Sequence, residues 1–175
     1  MRKIMCVITP VVASAALVLL AAGTAFAVDA GTGTTFTITG GALTISAPVG
    51  PVSLGTGAAS VAAQIITGSL GNVTVTDSRG NILGWTTTAM STAFTSGGLT
   101  VPASDISYGL STPTKTGVVT IVPVAAVDLT TAKTVETATA VVGVNTAAWN
   151  PSISIAVPLG AQTGVYAATM THSVI

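Results

Sequence analysis

The chain reads as an all-β protein, an antiparallel β-sandwich preceded by an amino-terminal signal helix, and three observations predict it. Apolar and polar residues alternate with period two in many short runs, Gly and Pro fall in the gaps between them, and beyond the leader no long helical period is found. Val, Ile and Thr dominate those runs, residue types that suit a pleated, half-buried surface.

Taken in order, the first 27 residues have the anatomy of an export signal. Arg2 and Lys3 form a short positive start, and Ile4 to Ala22 is almost unbroken apolar sequence. Ala25-Phe26-Ala27 then places small residues at −3 and −1 of a cleavage site after Ala27. An uncleaved anchor is the competing reading, since spanning a bilayer takes roughly 20 apolar residues. The Ala-Phe-Ala ending favours cleavage. The single cysteine, Cys6, lies within this leader, so the remainder has no disulfide or thiol chemistry and must be held together by its core.

The expected mature chain, residues 28–175, has a length suited to one domain. Its strands are expected at Thr35 to Thr39, at Leu43 to Ser46, and at Val73 to Thr76. Asp77-Ser78-Arg79-Gly80-Asn81 reads as a turn closed by an Asx hydrogen bond, and a strand from about Leu83 through Trp85 to Met90 follows it. Further strands are expected at Val118 to Val122, Thr134 to Val142, Ser152 to Val157 and Val165 to Val174. Ala58 to Ile66 is the best helix candidate, and it fits a strand or loop equally well. Many short strands with turn signals between them match a sandwich of immunoglobulin-like, Greek-key type.

Charge excludes several function classes. Residues 28–175 carry only Arg79, Lys115 and Lys133 against five acids, a net charge of −2. Three scattered cations cannot neutralise a run of phosphates, so no nucleic-acid partner is expected, and docking of the mature form on anionic membrane is disfavoured too. The surface must instead be covered by Thr, Ser, Gly and Asn, which suits a protein packed against something else. No Leu-Pro-x-Thr-Gly sorting motif occurs, so attachment to a cell is expected to be non-covalent.

No residue pattern points to catalysis, a cofactor or a metal. His172 is the only histidine, in phase with Tyr166, Met170 and Val174, and a hydrogen-bonded core histidine is the favoured reading over a general base. Zinc lacks ligands, and Asp77, Asp105 and Asp128 have no spacing that demands calcium. Trp85 and Trp149 are either core plugs or sugar-stacking platforms, with the core favoured.

Three stretches carry a family resemblance. They are Gly71 to Gly80 (GNVTVTDSRG) with Gly84-Trp85-Thr86-Thr87, then Ala148-Trp149-Asn150-Pro151 leading into Ile153, Ile155 and Val157, and finally Gly164 to Val174 with Tyr166 and His172. Together they resemble the WxL-type domains of Gram-positive surface proteins. The resemblance implies a secreted, non-catalytic β-domain held non-covalently on the cell wall, with peptidoglycan or another cell-surface protein as partner. Trp85, Thr87, Trp149, Tyr166, His172 and Val174 are then the motif positions, serving either wall contact or core. The chain departs from the signature at both places, with Trp85-Thr86-Thr87 for the first Trp-x-Leu and His172-Ser173-Val174 at the second. A self-assembling surface or fibre subunit and a carbohydrate-binding module are the alternative readings.

Overall fold

The computed structural model describes residues 30–175, and residues 37–175 form one compact unit. The expected leader, with Cys6, Ala25 and Ala27, lies outside the described residues. The described chain is all-β, with every strand pair antiparallel.

The larger sheet contains β1 (Leu43–Ser46), β3 (Val73–Asp77), β4 (Trp85–Ser91), β8 (Thr114–Pro123), β10 (Lys133–Trp149) and β12 (Met170–Val174). Its organiser is the 17-residue β10. The first part of β10 pairs with β4, its last part pairs with β3, and β8 runs along the strand from Glu136 to Ala148. Between those parts the β8 register shifts twice, and Ala140 and Gly143 take positive φ of 50° and 71°. Gly117 on β8 does the same, with φ 76°. Irregularities of this kind bend a strand and raise its twist, so the sheet curls over itself. β1 and β12 come within 8 Å between Cα atoms, which leaves the sheet nearly closed and barrel-like. Val73, Val75, Trp85, Ala138, Ala147 and Trp149 fill the space it encloses.

A second sheet, in the order β2 (Gln64–Ser69), β11 (Ser152–Val157), β7 (Ile106–Tyr108) and β9 (Ala126–Val127), packs against the first. Ile106, Tyr108, Ile153 and Ile155 from this sheet meet Ala89 and Val135 from the larger one in a shared core. A hairpin of β5 (Phe94–Ser96) and β6 (Leu99–Val101) turns through Gly97 and Gly98, both at positive φ, as a two-residue hairpin turn requires.

Most expected strands are present, and two expectations need correction. Residues 35–39 form no strand, and Phe36 and Ile38 are 87% and 84% exposed. The reason is the partner: β1 pairs with β3 from Leu43↔Asp77 onward, and beyond Asp77 the neighbouring chain turns away. At the other end only Met170–Val174 of the expected Val165 to Val174 strand is formed, because β4 stops at Ser91, opposite Met170. Of the forms left open for Ala58 to Ile66, the chain takes loop as far as residue 63 and strand from Gln64.

Candidate functional site

Two polar networks and one cavity collect the chemistry-bearing side chains. The first network lies at the end of β3. The Asp77 carboxylate accepts from Arg79 Nε at 2.9 Å, from Arg79 Nη2 at 3.0 Å and from the Arg79 backbone N–H at 3.0 Å. Arg79 Nη2 also donates to the carbonyls of Leu83 and Gly84, which fastens the turn to the start of β4. Asn145 completes the set. Its Nδ2 donates to Asp77 at 3.3 Å, and its Oδ1 accepts from Trp85 Nε1 at 3.1 Å. Hydrogen bonds from Arg79 hold the Asp77 carboxyl below its ordinary range. The expected Asx turn is therefore present, and its arginine neutralises a buried carboxylate.

The second network joins the two cores. Trp149 Nε1 donates to the Tyr108 hydroxyl at 2.9 Å, and that hydroxyl lies 3.2 Å from His172 Nε2. The phenol oxygen already accepts the indole proton. Its own hydrogen finds an acceptor if His172 Nε2 is unprotonated, which places the imidazole proton on Nδ1. Burial pushes His172 down to about 4 and raises the Tyr108 phenol above its ordinary range, so both groups are neutral at neutral pH.

Glu136 lies close enough to Tyr108 for its charge to act on the phenol. A β-bulge between Thr134 and Glu136 turns both Val135 and Glu136 inward, and Glu136 is only 1% exposed. Its register partner on β4 is Thr87, also fully buried. Glu136 Oε2, Thr87 Oγ1 and His172 Nδ1 each lack a hydrogen-bond partner among the described residues. Desolvation raises the Glu136 carboxyl to about 7.

The motif positions thus take different roles. Trp85, Thr87 and Trp149 are interior, and at 2% exposure neither indole can serve as a sugar-stacking platform. His172 and Val174 share the half-buried face of β12 with Met170, whereas Tyr166 precedes that strand and donates its hydroxyl to the Gln162 carbonyl. Asp105 and Asp128 do not converge on Asp77: Ser104 bonds to the former and Thr130 to the latter. Among the described residues, no group of three His, Cys, Asp or Glu side chains comes together to hold a metal. Tyr108, Asn145 and buried Glu136 were not legible as functional residues. Each lies in a strand whose partner or bulge is set by distant sequence.

The cavity measures about 920 Å³ and opens where the β4–β12 side of the larger sheet and the β2–β11 side of the smaller one part. Its closed end is formed by buried Val101 and Ile155, and its walls include Leu54, Phe94, Val157 and Met170. Most of residues 47–59 and all of residues 161–169 also line it. His172 and Ser91 also line it, and among the described residues no Asp, Glu, Lys or Arg does.

No protein-family model, curated protein or solved structure matches the chain.

Proposed function

We propose that the chain is a non-catalytic extracellular protein that associates non-covalently with the cell wall or envelope, with peptidoglycan or a second surface protein as partner. The observation that carries this reading is where the polar chemistry lies. The indoles, Tyr108, Glu136 and Asp77 are all interior, and hydroxyl and aliphatic side chains make up most of the outside, with a few scattered charges such as Lys115 and Asp128. Such an exterior offers shape and contact rather than reactivity. The export signal read in the first 27 residues and the resemblance to WxL-type domains support the location. With three motif residues interior, wall contact falls to other parts of the surface. The finer description of the fold, a sandwich of immunoglobulin-like, Greek-key type, belongs to this proposal and is supported by the two sheets sharing one core. Incubation of the purified protein with isolated cell walls tests the reading. Recovery in the wall pellet at moderate salt is expected, and recovery wholly in the supernatant would overturn it.

A specific feature favours a second reading, self-assembly through a strand edge. Among the described residues the ten-residue β8 pairs only with β10, and the register partners Val118 and Val142 are each 60% exposed beside it. An unpaired edge with apolar neighbours is a template for strand addition. The Lys115 ammonium bonds back to the Val119 carbonyl and blunts that edge. Light scattering over a wide concentration range decides, because an unchanging monomer mass would remove this reading.

A further inference from the structure

We infer that the cavity between the two sheets is a binding site for a single-chain amphiphile with an uncharged, hydroxyl-bearing head group. Its volume, about 920 Å³, falls within the roughly 300–1,000 Å³ of small-molecule sites. The walls divide by depth. Val101, Ile155, Phe94 and Met170 make the inner part apolar, which suits a hydrocarbon chain. Exposed Gln162 and Thr163 stand at the rim, offering amide and hydroxyl partners to a polar head.

Charge narrows the class. A carboxylate or phosphate head would find no cation here, and an ammonium head would find no carboxylate, because among the described residues no side chain that is charged at neutral pH lines the space. An unpaired charge at such a rim loses hydration with nothing in return. An extended peptide is disfavoured on backbone grounds. The segment around Leu54 to Ala58 already lies along β2: the Leu54 backbone packs on Gly68, and Gln64 Nε2 donates to the Ala58 carbonyl at 2.6 Å. The face of β2 across which an extended peptide would lie at this mouth is therefore already occupied by the chain itself.

This site is independent of envelope association, so the wall pull-down and the following titration can fail separately. The purified protein is titrated with Nile red, an uncharged apolar dye, and the dye is then competed with monolauroylglycerol, laurate and dodecyltrimethylammonium below their micelle concentrations. Saturable dye binding is expected, with monolauroylglycerol displacing at least tenfold better than either charged amphiphile. Leu54→Trp and Val157→Trp, which fill the cavity from two different elements, should each weaken binding at least tenfold while the urea midpoint shows a folded protein. Val142→Ser on the outer face should leave it unchanged. Absence of saturable binding, equal displacement by the charged amphiphiles, or loss of binding in Val142→Ser alone would overturn the inference. Displacement by an uncharged apolar hexapeptide and not by monolauroylglycerol would overturn it as well.

Discussion

Replacing Glu136 by Gln should change how stability depends on pH, through a compensation between two buried groups. The Glu136 carboxyl is raised from 4.5 to about 7 by desolvation, and His172 is lowered from 6.5 to about 4 by the same cause. For Glu136 the folded state prefers the proton, so its contribution is fully present below pH 4.5 and is lost as pH rises through about 7. For His172 the folded state prefers the neutral ring, so its contribution is present above pH 6.5 and is lost as pH falls through about 4. Between pH 4.5 and 6.5 the folded state holds one proton on Glu136, and the unfolded chain holds one on His172. The proton counts match, and this pair gives the parent protein almost no slope in that window. Glu136→Gln removes one side of the balance. Its stability should fall by about 2–3 kcal/mol from pH 6.5 to pH 4, at about 1.4 kcal/mol per pKa unit discounted for the partial exposure of the imidazole. His172→Gln should do the reverse and lose a similar amount as pH rises from 4.5 to 7. Urea unfolding midpoints measured across pH 4 to 8 give the profiles. Identical pH slopes for the parent and Glu136→Gln would refute the argument.

Three further outcomes follow from the interior. Asn145→Ala strips partners from Trp85 Nε1 and Asp77 together and should cost about 2–4 kcal/mol in urea unfolding. Gly117→Ala should cost more than about 2 kcal/mol, combining a left-handed backbone with a clash against the Val144 carbonyl. Gly143→Ala, also left-handed but facing open space, should cost only about 1–2 kcal/mol, so thermal melting of the two variants separates strain from crowding. Tyr108→Phe leaves both Trp149 Nε1 and His172 Nε2 without the phenol and should cost about 2 kcal/mol. The same variant should also shift the His172 ring signals in a nitrogen–proton NMR spectrum.

The amino-acid sequence by itself determined what local pattern can determine. Alternation marked β3, β4 and β11 within a residue or two, because one face of each is buried and a period of two records that burial directly. The Asp77 turn was equally legible, since an Asx bond spans two residues and needs no distant partner. For both tryptophans residue type and strand position favoured the core and left a sugar-stacking platform open, which their burial removes. Tertiary structure decided whatever depended on a partner. The alternating residues 35–39 remained outside the sheets because the chain opposite them turns away. Alternation would turn Glu136 outward beside inward Val135, yet a bulge whose register belongs to β4 buries both. The cavity likewise exists only where two sheets, each built from segments far apart in sequence, diverge. Side-chain period is a property of one strand, whereas register, bulges and the gap between sheets are properties of pairs of strands, and pairs are settled only when the whole chain has packed.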